Sequence, residues 1–205
     1  MNLVYRVGRG LARAVGHGLY SYRVINREQL IEEGPAIIVS NHASFIDPPM
    51  VGCAFENELT YLARKSLFKG AISEYFYRKM NTVPVDQDRP DMTGIRGILR
   101  EVKKGGRVLI FPEGGRTFDG ELLPGQAGVG LIVSKSEVPV LPVRLFGAHE
   151  ALPRGAKFLR PSRLTLVVGQ PIDFTTLKLE GGAKEKYQAV SDKIMEEIGA
   201  LKLPE

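Results

Sequence analysis

The sequence predicts an α/β fold: a single domain with a central sheet, mostly parallel or mixed, flanked by helices and preceded by an N-terminal basic amphipathic helix. Three observations carry that reading. Short apolar runs such as Ala36-Ile37-Ile38-Val39 and Val108-Leu109-Ile110 have the length and composition of buried strands. They alternate with segments whose apolar residues recur at three and four, a pattern that builds a sheet covered by helices. No internal repeat, low-complexity tract or linker divides the 205 residues, a length that buries a substantial core in one domain.

The first element is a helix over residues 1–22, set apart from a domain of residues 23–205. On a helical wheel Val4, Val7, Leu11, Val15, Leu19 and Tyr22 share one face, while Arg6, Arg9, Arg13 and His17 cluster opposite. This is the pattern of a basic amphipathic helix lying at a membrane surface. A helix packed on its own domain with a solvated arginine face fits it too. Tyr22-Arg23-Val24-Ile25 reads as a short strand, Ile37 to Ser40 as a buried one and Glu58 to Ala63 as a third. A helix is expected from Ile72 to Met80. Thr82-Val83-Pro84-Val85 is extended, and its proline, which cannot donate to a ladder, places it at a sheet edge or strand end. Residues 91–104 are helical, with Met92, Ile95, Ile98, Leu99 and Val102 on one face and Gly105-Gly106 as the stop. There follow a strand from Arg107 to Phe111, a helix from Gly128 to Ser136, and strands at Val140 to Phe146 and Arg163 to Val168. The last helix runs from Lys184 to Leu201, with Tyr187, Val190, Ile194, Ile198 and Leu201 facing inward.

Composition narrows the function classes. The lone Cys53 allows no internal disulfide, and Val51-Gly52-Cys53-Ala54-Phe55 reads as a packed apolar position. Histidines at 17, 42 and 149, with no paired cysteines, give no metal site of recognisable spacing. The amino end lacks the apolar core and cleavage site of a secretory signal, and no window approaches the ~18 apolar residues of a membrane span. Residues 1–25 carry Arg6, Arg9, Arg13 and Arg23 and no acid, which accounts for four units of the net charge of +5. Nucleic acid is not an expected partner, because the basic segment has no aromatic interleaving and belongs to no nucleic-acid module.

Two clusters carry chemistry. His42 and Asp47 lie in Asn41-His42-Ala43-Ser44-Phe45-Ile46-Asp47-Pro48, directly after the first buried strand, where open α/β sheets place ligands. On one continuous helix they would point about 140° apart, so they must meet across a turn. Asp47, followed by two prolines, is expected as the N-cap of a helix running to about Phe55, with its carboxylate turning back to the imidazole. An imidazole held by a carboxylate keeps one tautomer and can take a proton from a hydroxyl on its other nitrogen. A helix cap beside a satisfied loop histidine fits the same spacing. The second cluster is Phe111-Pro112-Glu113-Gly114-Gly115-Arg116-Thr117, after the strand Val108-Leu109-Ile110. Its two glycines permit a tight turn and close approach of a ligand, and Arg116 can bind a phosphate bidentately. A Glu113–Arg116 ion pair closing the loop is the alternative. Arg64, Lys65 and Arg89 also follow strands and together describe a positive mouth suited to an anionic substrate.

Taken in order, Asn41-His42 with Asp47, Phe111 to Arg116, and Val138-Pro139-Val140-Leu141-Pro142-Val143 resemble the motifs of the glycerolipid (lysophospholipid) acyltransferases, typified by bacterial 1-acyl-sn-glycerol-3-phosphate acyltransferase. Tyr61 to Phe68 resembles the family's stretch before its second motif, and Val83-Pro84-Val85-Asp86 that motif. The likeness covers roughly residues 20–175. It departs at Gln87, where an arginine usually follows the aspartate, with Arg89 two residues on; at Asn81, where glycine is usual; and at Gly115, where threonine is commoner.

The resemblance implies an acyltransferase domain over residues 23–205 that moves a fatty acyl group from acyl-CoA or acyl carrier protein to the free hydroxyl of 1-acyl-sn-glycerol-3-phosphate or another lysolipid. It implies His42 and Asp47 as the catalytic pair, with Glu113, Gly114, Arg116, Lys65 and Arg89 binding substrate. Neither a metal nor a cofactor beyond the acyl donor is expected. The expected partners are a lysophospholipid, the acyl donor and a membrane surface, and the expected place is the cytoplasmic face of the cell membrane, as a peripheral or monotopic protein. Attack by the lipid hydroxyl on the thioester needs no covalent acyl-enzyme, because a thiolate leaves readily. Ser44 and Cys53 are the rival nucleophiles, but no Gly-x-Ser-x-Gly elbow surrounds Ser44. A non-catalytic lipid-binding protein and a thioester hydrolase are the competing classes.

Overall fold

In a computed structural model that describes residues 2–85, 92–176 and 181–204, the chain forms one seven-stranded sheet covered on both faces by helices. Helix α1 (Leu3–Tyr20) leads into β1 (Arg23–Ile25) and β2 (Ala36–Ser40). There follow α2 (Asp47–Gly52), β3 (Leu59–Arg64), α3 (Ala71–Lys79), β4 (Thr82–Val85) and α4 (Met92–Lys103). Then come β5 (Arg107–Ile110), α5 (Ala127–Ser136), β6 (Val140–Phe146), the single turn α6 (Ala148–Ala151), β7 (Thr165–Val168) and α7 (Ala183–Ala200). The strand order is β1-β7-β6-β2-β5-β3-β4. All neighbours pair in parallel except β6 with β7, so the mixed sheet consists of a five-strand parallel block and a two-strand block running the other way. Pro84 is accommodated because β4 is an edge strand, as its sequence requires.

Strand β2 is buried along its whole length, and alternation sends its side chains into two cores. Ile38 joins Leu109, Leu141 and Leu166 under α1, α2 and α6; Ile37 and Val39 join Val108, Ile110 and Val140 under α4, α5 and α7. Emptying one such position, Ile38→Ala, costs about 2–5 kcal/mol. Helices α5 and α7 pack closely enough that a Cβ on Gly130 would lie 1.8 Å from the Tyr187 carbonyl oxygen.

The amphipathic helix forms where the sequence places it, with arginines of its basic face docked on the domain and its apolar stripe turned outward. Tyr5 and Tyr20 are buried, and the Tyr5 hydroxyl lies 3.0 Å from that of Tyr61 while accepting the Leu59 N–H at 2.9 Å. Arg13 donates to the carbonyls of Cys53 (2.8 Å) and Phe55 (3.0 Å) and pairs with Glu56 at 2.9 Å, and Arg9 donates to the carbonyls of Phe55 and Glu56. These carbonyls follow the end of α2 and have no helical partner, which is why guanidinium donors dock there. Leu3, Val7, Leu11, Val15 and Leu19, by contrast, are 40–72% exposed. The solvated arginine face therefore does not occur at Arg9 and Arg13, and the apolar stripe is left facing outward. No helix among the described residues is long and apolar enough to cross a membrane.

Candidate active site

Because β2 and β5 are parallel, the segments that leave them run side by side at the carboxyl edge of the five-strand block. The register Val39 with Ile110 continues outward to bring His42 beside Glu113, and the His42 N–H donates to Glu113 Oε1 at 2.7 Å. The Thr117 N–H donates to the His42 carbonyl at 3.0 Å, fixing the histidine's backbone from the other side. Asn41 extends the pairing toward β6 with its side chain: its amide donates to the Leu145 carbonyl at 3.0 Å and its oxygen accepts the Leu145 N–H at 2.8 Å. The imidazole stacks on Phe111, with centroids 4.1 Å apart and planes 20° from parallel.

The ring's Nδ1 lies 2.8 Å from Asp47 Oδ2. The same oxygen accepts the N–H groups of Ala43 and Ser44, each at 2.7 Å, so three donors converge on one atom of a fully buried side chain. A carboxylate only accepts, so Nδ1 donates and Nε2 is the nitrogen left for a substrate proton. The expected N-cap role is corrected here. Asp47 is the first residue of α2 and Ile46 is the cap; the carboxylate closes the turn before the helix, and its Oδ1 has no hydrogen-bond partner among the described residues. Helix α2 also ends at Gly52, three residues early, because the chain turns toward β3. Its prolines fit the first turn, where backbone N–H groups have no helical acceptor.

Glu113, expected among the substrate-binding residues, has both oxygens engaged by backbone: Oε1 by His42 and Oε2 by the Leu123 N–H at 3.0 Å. Burial pushes its carboxyl pKa up, against the pull of those two N–H groups. It makes no ion pair with Arg116 among the described residues, so its place is beneath the histidine loop. Gly114 has φ of +71° and its N–H donates to the Phe111 carbonyl, a turn that favours glycine; a Cβ would also press on Gln126. Gly115 has open space at its Cβ, so only the first of the two glycines is needed by the turn.

Arg116 lies with its guanidinium carbon 3.4 Å from the centroid of the Phe45 ring, and its Nη1 is buried with no hydrogen-bond partner among the described residues. Arg64 and Lys65 leave β3 at the same edge, and Arg64 is close enough to disfavour the Arg116 charge. Arg89 lies outside the described residues. The rival nucleophiles are otherwise engaged: the Ser44 hydroxyl donates to the Leu152 carbonyl at 2.8 Å, and burial raises the Cys53 thiol to about 11. Sequence reading gave no role to Phe45 or Phe111, which are visible only as aromatics inside the motifs. Arg154 lies in no motif, yet its Nη1 donates to the Arg116 carbonyl at 3.1 Å.

A family model for acyltransferases matches residues 21–145. A 1-acyl-sn-glycerol-3-phosphate acyltransferase of Bacillus subtilis is 26% identical over 183 residues, 87% of each chain. One from Streptococcus pneumoniae is 27% identical, over 80% of this chain and 60% of that one; a chloroplastic one from Brassica napus is 29% identical, over 67% and 41%. The chain thus spans most of the Bacillus relative and less than half of the Brassica one. The crystal structure of the 1-acyl-sn-glycerophosphate (LPA) acyltransferase PlsC from Thermotoga maritima superposes with a TM-score of 0.74 at 24% identity, covering 96% of this chain and 81% of that one, which establishes a shared fold.

Proposed function

The chain belongs to the acyltransferase family, and on that premise we propose that it transfers a fatty acyl group from an acyl thioester to the free hydroxyl of 1-acyl-sn-glycerol-3-phosphate, giving phosphatidic acid for phospholipid biosynthesis. The relatives that cover most of the chain carry that activity in their names. The observation that carries the reading is the His42–Asp47 pair, in which one carboxylate oxygen fixes both the imidazole tautomer and the turn that presents it.

The residue chemistry runs as a direct displacement. Nε2 of His42 takes the proton of the lipid hydroxyl as its oxygen bonds to the thioester carbonyl carbon. The tetrahedral intermediate then collapses, the carbon–sulfur bond breaks, and the thiolate of coenzyme A or acyl carrier protein leaves, taking up the proton from His42. Asp47 stabilises the imidazolium that forms between the two steps, and general-base help of this kind is worth ~10²–10⁴-fold. The Gly114 N–H is occupied by Phe111, which leaves the Gly115 N–H as the candidate donor to the oxyanion. Arg116 binds the acceptor phosphate, with Arg64, Lys65 and Arg89 contributing positive potential.

The exposed apolar stripe of α1 supports peripheral attachment to a membrane, with the stripe in the acyl boundary. Incubation with labelled acyl-CoA or acyl carrier protein, with and without 1-acyl-sn-glycerol-3-phosphate, tests the reaction. Label in phosphatidic acid only when the lipid is present supports it. Free fatty acid in both reactions identifies a thioester hydrolase, and intact thioester in both identifies a binding protein.

A further inference from the structure

Beside Arg116 the carboxyl edge carries a second guanidinium that no motif announces. Arg154 follows α6 on the loop to β7; its guanidinium carbon lies 3.9 Å from the centroid of the Phe118 ring, and it reaches across to the Arg116 carbonyl. Arg116 stands over Phe45 in the same way. Phe45 and Phe118 are 64% and 74% exposed, so two open aromatic rings each hold an arginine by its face. Stacking occupies the plane of a guanidinium and leaves its in-plane N–H fork free for a bidentate acceptor.

Neither arginine has a carboxylate partner among the described residues, and Arg116 Nη1 is buried without any hydrogen bond. Two like charges are therefore held together without a salt bridge among the described residues, and the nearby Asp47 carboxylate, already engaged by His42, offsets them only in part. Burial and, after it, the charge of Arg154 hold the Arg116 pKa below its ordinary value, as expected of a site whose anion comes from outside.

We propose that Arg154 binds the acceptor's phosphate jointly with Arg116, forming a two-guanidinium clamp selective for a phosphate monoester. The inference rests on the acceptor chemistry proposed above. A phosphate monoester presents three oxygens and about −1.5 to −2 charge at neutral pH, enough to engage both forks. A phosphodiester headgroup offers a single charge and two free oxygens, and leaves one guanidinium unmatched.

The test is titration calorimetry of wild type, Arg154→Gln and Arg154→Lys with a short-chain 1-acyl-sn-glycerol-3-phosphate and with the same 1-acylglycerol lacking phosphate. Glutamine removes the charge and ends two bonds short of Nη1, so it also loosens the contact with the Arg116 carbonyl; loss of a purely structural strut is then recognised by its equal effect on both ligands. The expected result is about tenfold weaker binding of the phosphate-bearing ligand by Arg154→Gln, partial recovery by lysine, and no change for the neutral ligand. Unchanged affinity of Arg154→Gln for the phosphate-bearing ligand overturns the proposal, and so does equal weakening of both ligands. Should Arg154→Gln melt at a lower temperature, Arg154→Lys decides: roughly threefold loss confined to the phosphate-bearing ligand supports the clamp, and no loss overturns it. Binding is read without turnover. A wild-type protein that binds both ligands but transfers no acyl group therefore removes the proposed reaction and leaves the clamp standing.

Discussion

Replacing Asp47 by asparagine separates what the carboxylate does by charge from what it does by geometry. Oδ2 accepts from Nδ1 of His42 and from the N–H groups of Ala43 and Ser44, whereas Oδ1 has no partner among the described residues. The amide of asparagine must place its oxygen on the three donors, because the reverse orientation sets an –NH₂ against two backbone N–H groups. The turn and the tautomer therefore survive, and only the anion is lost. Unit charges ~4 Å apart at an effective dielectric near 20 attract by about 4 kcal/mol. The 2.8 Å contact has one side chain 19% exposed and the other 1%, so solvent trims this to about 2–4 kcal/mol of lost imidazolium stabilisation. Asp47→Asn should then lower kcat by roughly 30- to 10³-fold at saturating substrates, with little change in KM. Asp47→Ala breaks the turn as well and should also lower the midpoint of urea unfolding. An Asp47→Asn rate within about threefold of wild type refutes the electrostatic role.

Other expectations follow from the same geometry. Glu113→Gln has one oxygen for two backbone donors, so either the His42 or the Leu123 N–H faces an –NH₂; the cost of about 1–3 kcal/mol should appear in chemical denaturation, accompanied by a fall in kcat. Cys53→Ala should retain acyl transfer, and the native thiol should resist alkylation at pH 8. Its folded pKa of about 11 lies above the ordinary thiol value of 9.0, so the stability it contributes is full below pH 9 and is lost as pH rises toward 11, measurable as a falling melting temperature. A Val7→Glu, Leu11→Glu double variant changes exposed positions only, so it should fold with wild-type stability yet fail to sediment with anionic vesicles. Retained sedimentation would place the membrane contact elsewhere.

The strands were legible because burial on both faces demands continuous apolar runs, as in Ala36 to Val39, and β4 was legible as an edge through Pro84. The chemistry was legible where spacing forbids a shared helix, which forced His42 and Asp47 to meet across a turn. Which oxygen meets which donor was not legible, because that depends on φ and ψ at residues 43–46. The opposed faces of α1 were legible as a pattern, and the outward apolar stripe is what a membrane-surface helix requires; the docking of Arg9 and Arg13 on the domain was not legible. Periodicity reports that apolar and basic residues are opposed; it cannot report that carbonyls beyond α2 await Arg9 and Arg13. The motif marked Glu113 by residue type, but its engagement by the His42 and Leu123 N–H groups follows from the parallel register and was not legible. Arg154 left no local signal, since a loop 38 residues along the chain brings it to Arg116.

The central claim is that His42 removes the proton of the lipid hydroxyl. It is tested most directly by His42→Ala, with acyl transfer to 1-acyl-sn-glycerol-3-phosphate and binding of that lipid measured on the same preparation. The geometry predicts a fall in kcat of roughly 10²–10⁴-fold with lipid affinity nearly unchanged. Transfer within about threefold of wild type, with the lipid still bound, would contradict it.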